Sequence, residues 1–140
     1  MFRKFITNRV MIPVLLCLQV FPLIVFPLST FTLATQEWWL PAFLTLLTII
    51  ALVQVLVRHQ LATWPWYLLS FAQGLNIISR IMMLFPHATV TESGGALVAN
   101  GVYLIITFAA MLFSAFEIWY CDLPELRQKL AAGSLAKASP

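Results

Sequence analysis

The chain has 140 residues, of which 61% are hydrophobic and 9% charged, with a formal net charge of +3. Soluble globular chains carry about 25% charged residues, so a water-soluble fold of this size would leave much apolar surface in water. The composition points instead to a bilayer and gives no basic tract of the kind that binds nucleic acid.

A membrane-crossing helix needs about 20 mainly apolar residues. Four such runs are present, at roughly 10–33, 40–57, 64–85 and 95–120. The first follows Arg3, Lys4 and Arg9. Its apolar stretch is longer than the 7–15 residues of a secretory h-region, and no small-x-small site closes it, so it reads as a retained span. Pro13, Pro22 and Pro27 lie in or near this run. A proline removes a helix hydrogen bond and crowds the preceding turn, which predicts a kink around Pro22–Pro27. The segment "ATQEWWLP" (34–41) separates the first run from the second, and "RHQLATWP" (58–65) the second from the third. "PHATVTESGG" (86–95) leads into the fourth, with Gly94-Gly95 as its turn. Such short loops make consecutive helices antiparallel neighbours.

The third and fourth runs carry the informative pattern. Ser70, Gln73, Asn76 and Arg80 are spaced 3, 3 and 4 residues apart, which places them within roughly 120° of one helix face. In the fourth run, Asn100, Tyr103, Thr107, Ala110, Ser114, Glu117 and Cys121 alternate spacings of 3 and 4. Small and polar residues at this spacing mark a helix–helix seam in a membrane, because small side chains allow close approach and polar ones bond across. These positions, excepting Ala110 and Cys121, form a candidate ligand or helix-packing seam. Arg80 lies five residues before Phe85, about 7.5 Å below that end at ~1.5 Å per residue. Three roles suit it: a structural link to Asn76, Asn100, Tyr103 and either Glu37 or Glu92; a stem snorkelling to the headgroups; or a grip on an anionic ligand. Glu117 is expected near the other surface, anchored by Arg58 or His59 or acting as a proton-coupled carboxylate.

Beyond the fourth run, Leu123, Leu126 and Leu130 share one face, with Arg127 and Lys129 towards the other. This predicts a short amphipathic interfacial helix over 123–133, followed by a loose tail at 134–140. With four spans, seven of the eight Lys and Arg fall on one side, Arg80 being the eighth. The positive-inside rule then puts both termini in the cytoplasm.

Catalytic chemistry is thin. Two cysteines, Cys17 and Cys121, make no disulfide framework; Cys121, at the membrane edge, is a candidate for palmitoylation. His59 and His87 fall on opposite sides of the membrane, so they cannot share a metal, and no metal site is expected. A single axial bond from either to a haem or chlorophyll is the only cofactor role left open; an interfacial histidine is the simpler reading, and the cofactor is unassigned. No nucleophile elbow or phosphate loop occurs. The sequence therefore predicts an all-α integral membrane protein, a four-helix bundle with both ends inside. Its expected role is non-catalytic: an accessory, assembly or scaffold subunit of a larger membrane complex, with a pigment- or quinone-carrying complex as one candidate parent. Its partners are the lipid bilayer and either other membrane subunits or copies of itself. The alternative is a small oligomeric transporter or channel for an anion, lipid or proton, using Arg80 and Glu117.

Overall fold

Three of the apolar runs fold as helices long and apolar enough to cross a membrane: Trp39–Val57, Trp64–His87 and Gly101–Cys121, of 19, 24 and 21 residues. The structure is a computed structural model, and it describes residues 6, 8, 10–25, 38–58, 62–91 and 97–130. In chain order the elements are α1 (Met11–Leu18), α2 (Phe21–Ile24) and α3 (Trp39–Leu52), which passes into a π-helical turn over Val53–Val57. Then come α4 (Trp64–His87), β1 (Thr89–Thr91), β2 (Leu97–Ala99) and α5 (Gly101–Cys121). Residues 124–130 are again helical; the rest of the expected 123–133 helix, and the tail, lie outside the described residues.

The first run departs most from expectation. It is not one helix over 10–33 but two short ones, together spanning Met11–Ile24, or about 21 Å at ~1.5 Å per residue. Residues 26–33 lie outside the described part. The break falls at Gln19–Val20, where backbone bonds tighten to three-residue reach: Gln19 N–H to Leu16 O and Val20 N–H to Cys17 O, both 3.3 Å. Pro22 is the cause. Its ring has no N–H and crowds the carbonyl four residues back, so the helix ends and restarts with Pro22 near the start of α2. Leu23 N–H then bonds Val20 O at 3.2 Å rather than Gln19 O. After Ile24 the chain leaves the helix, with Val25 at ψ 98°.

The fourth run also starts later than its composition suggests. Residues 97–99 are strand, not helix, and α5 begins at Gly101. Thr89, Val90 and Thr91 pair antiparallel with Ala99, Val98 and Leu97. β-branched residues favour this extended pairing, and it supplies backbone partners where α4 stops after Pro86. Asn100 N–H bonds Ala88 O at 2.8 Å, and the Asn100 side chain caps α5 by accepting from Tyr103 N–H at 3.2 Å. The fold is thus helical with one small hairpin.

α4 packs against both α3 and α5, and α2 touches all three. One apolar cluster lies towards the Trp64–Cys121 end, joining Leu16, Val55, Leu69, Tyr120 and Leu126. A second joins Leu23, Leu44 and Ala72. These pairings show that α1–α2 run alongside α4 in the same direction. The end of α5 is tied down by Arg127, whose Nε and Nη2 donate to Cys121 O at 3.3 and 3.2 Å, and whose guanidinium sits 5.8 Å from the Trp66 ring centre. That arrangement satisfies a helix-end carbonyl and places a cation where the helix dipole favours one.

The buried face of α5 carries Tyr103, Thr107, Ala110, Ser114 and Glu117, while Ile105, Phe108 and Leu112 point outward. Ala110→Leu inserts bulk into a filled contact and is expected to cost about 1–3 kcal/mol. Phe108→Leu, at a site half exposed, should leave the melting temperature of the purified protein near wild type. A larger loss from Phe108→Leu than from Ala110→Leu would mean that the outward face is the one that packs.

Candidate functional site

The break in the first helix frees backbone carbonyls inside the bundle, and α4 presents side-chain donors to them. Gln73, Asn76 and Arg80 lie on one stripe of α4 and are buried. Gln73 Nε2 donates to Gln19 O at 2.8 Å. One turn on, Asn76 Nδ2 lies 3.3 Å from Pro22 O and donates to Ser114 Oγ on α5 at 2.9 Å. The next turn brings Arg80, whose Nη2 donates to Pro22 O at 2.7 Å and also to Val25 O. Its Nε donates to Asn76 Oδ1 at 3.3 Å, which leaves the Asn76 amide placed to donate elsewhere. Ser79 Oγ donates back to Asn76 O at 2.9 Å. The result is a ladder in which one helix's side chains serve the carbonyls at 19, 22 and 25.

The surroundings of Arg80 bear on its expected roles. The residue is 1% exposed, so it does not snorkel. It is held by the first helix and by Asn76, not by Asn100, whose side chain caps α5. Tyr103 is within electrostatic reach of the guanidinium. Glu37 and Glu92 lie outside the described residues. α4 also runs two residues past Phe85, which places Arg80 deeper than its sequence position suggests.

At the Trp64–Cys121 end of the ladder sits a second group. Gln19 is fully buried, and its Nε2 donates to Cys121 Sγ at 2.9 Å. Glu117 is also fully buried and lies beside the Gln19 side chain. Neither carboxyl oxygen has a hydrogen bond of ordinary geometry, and the buried Oε1 atoms of Gln19 and Gln73 have none either. Arg58 is exposed and makes no ion pair with Glu117. His59 lies outside the described residues. Cys121 is buried, so it is not the accessible thiol that acylation needs.

The remaining expected positions are less connected. Ser70 is half-buried and, among the described residues, is not joined to the ladder. Thr107 is buried with its hydroxyl unpartnered. His87 Nδ1 lies 3.1 Å from Met83 O, and its ring faces Tyr103 at 5.6 Å. Among the described residues no cluster of three His, Cys, Asp or Glu side chains is placed to hold a metal. Gln19, Thr48 and Ser79 are buried polar residues outside the two polar seams expected from the sequence. Gln19 was visible as the one amide near the expected kink; pairing that kink with a stripe of donors would have singled it out.

Substitution of Arg80 should separate its charge from its geometry. Arg80→Leu leaves the carbonyls of Pro22 and Val25 without this donor and is expected to cost about 1–3 kcal/mol of stability. Arg80→Lys keeps a charge but loses the planar fork that reaches Asn76 and the first helix together, so it should fall between leucine and wild type. The melting temperature of the purified protein is the measurement. Wild-type stability in Arg80→Leu would show that the ladder does not hold the first helix.

Comparisons with protein-family models, curated proteins and solved structures find no match to this chain, so the chemistry of its own residues is what carries a function.

Proposed function

We propose that the protein is a four-span membrane bundle with both termini in the cytoplasm. It acts as a non-catalytic accessory, assembly or scaffold subunit of a larger membrane complex. The observation that carries this reading is the division of labour among side chains. Inside, Gln73, Asn76 and Arg80 spend their donors on internal backbone carbonyls and on one another. Outside, α3 and α5 present large apolar side chains such as Phe43, Leu46, Ile105 and Leu112, all more than half exposed. Such faces suit lipid or neighbouring membrane helices, and the interior polarity reads as a device for holding the subunit's shape.

The first span rests on the length of its apolar run, roughly 10–33 in the sequence. Orientation rests on Arg3, Lys4, Arg9, Arg58, Arg127, Lys129 and Lys137 sharing one side. On this reading the helix at 124–130 lies along the inner leaflet, with Leu123 and Leu126 packed against the bundle.

A second reading, a small transporter or channel for an anion, lipid or proton, is favoured by one observation only: the enclosed, unpartnered carboxyl of Glu117. The engagement of Arg80 by internal carbonyls weighs against its gripping an anion.

Purification in mild detergent followed by cross-linking should recover a stoichiometric membrane partner, or a second copy, bridged through the outward faces of α3 or α5. A lone subunit that moves a solute across vesicles would replace the scaffold reading with the transporter. Topology is checked separately by cysteine labelling. A label at Glu92 should react only from outside and one at Lys137 only from inside; reaction of both from the same side would remove one span.

A further inference from the structure

We infer that Glu117, Gln19 and Gln73 form a proton-binding site enclosed by three helical segments, in which Glu117 takes up a proton from the aqueous phase at the Trp64–Cys121 end. The inference goes beyond the scaffold reading and does not depend on it.

The cluster is short of donors. Gln19 gives one of its two amide hydrogens to Cys121 Sγ, and Gln73 gives one of its own to Gln19 O. What is left on these three side chains is one N–H on each glutamine against four acceptors, Gln19 Oε1, Gln73 Oε1 and both oxygens of Glu117, which are buried and without a hydrogen bond of ordinary geometry. The groups facing the carboxyl are Gln19 from the first helix and, on its own helix, the Tyr120 hydroxyl and Cys121 thiol. None of these is a cation. Tyr120 donates to Ile6 O at 2.9 Å, so its hydrogen is taken. Arg127, the nearest cation on the following segment, is directed to Cys121 O and Asp122. Arg80 lies seven residues beyond Gln73 on α4, about two turns at ~3.6 residues per turn, and is bonded to the Pro22 and Val25 carbonyls.

An ionised carboxylate enclosed without a cation is costly, and an unpaired acceptor adds to that cost. A proton changes both terms at once. It removes the charge, and it turns one acceptor into an O–H donor that the Gln19 amide, with its free Oε1, can receive. Protonation here is simple addition: one proton from water joins one carboxylate oxygen, and no other bond changes. The site lies within about two turns of the helix end at Cys121, so the path to water on that side is short.

Infrared spectroscopy of the purified protein in lipid vesicles tests this directly. At neutral pH a carbonyl band of a protonated carboxylic acid is expected. It should shift when water is replaced by heavy water, give way to carboxylate bands as the pH is raised, and be missing from Glu117→Gln. If that variant does not fold, glutamate carrying carboxyl ¹³C in the wild-type protein should move the same band. Absence of the band in wild-type protein, or its failure to shift in heavy water, would overturn the proposal. Loss of the band on adding sodium ions at constant pH would also overturn it, by making the cluster a metal-cation site.

Discussion

A helix broken inside an apolar bundle exposes carbonyl groups where no water can bond them, and the rest of this bundle is arranged around that constraint. In a bilayer every backbone polar group must find a partner within the protein. Pro22 ends one helix and starts another, and the carbonyls of Gln19, Pro22 and Val25 are left to other elements. Gln73, Asn76 and Arg80 meet them from a single stripe of α4. The stripe can do so because the two segments run in the same direction, so turns of one keep level with turns of the other.

Arginine suits the last rung for a physical reason. Its fork has several donors in fixed directions, and here it reaches two carbonyls of the first helix and the Asn76 oxygen. Hydrogen bonds made by a charged group contribute about 1.5–3 kcal/mol each, against a desolvation cost of several kcal/mol for burying the charge. Such a residue is a weak contributor to net stability and a strong constraint on geometry, since any movement of the first helix strands a buried cation. Asn76 passes the constraint on to α5 through Ser114. Three elements are therefore coupled through two side chains, and the small residues along α5 allow the approach that this coupling needs.

Arg80 of α4 and Glu117 of α5 differ in their surroundings. Arg80 has acceptors for its Nε and Nη2 hydrogens in Asn76 and the carbonyls of Pro22 and Val25. Glu117 is enclosed beside Gln19 and Cys121 with no cation facing it and no hydrogen bond of ordinary geometry. The two side chains thus sit in different surroundings at different levels of the bundle. The outward faces of α3 and α5 make a third zone of large apolar side chains, while the polar side chains lie in the interior.

Much was written in the chain itself. The apolar runs determined helices of membrane-crossing length at Trp39–Val57, Trp64–His87 and Gly101–Cys121, because hydrocarbon thickness sets a length that composition alone can meet. The 3-and-4 spacing determined which side of α5 carries small and polar residues, because helical periodicity is a local property. Pro22 announced a break in the first helix, since its missing N–H acts within one turn. The partners were another matter. Nothing in the spacing of Ser70, Gln73, Asn76 and Arg80 says whether they face α5 or the first helix. The choice fell to the carbonyls of Gln19, Pro22 and Val25, which are backbone groups common to every residue and leave no mark in the sequence. The same holds for Gln19 and Cys121, 102 positions apart yet 2.9 Å from each other. It holds too for the hairpin at Thr89–Ala99, where pairing between strands overrode an apolar run that reads locally as helix. Local chemistry determined where helices form and where they break; only the packing of distant segments decided which buried atoms meet, because a hydrogen bond needs both partners in place.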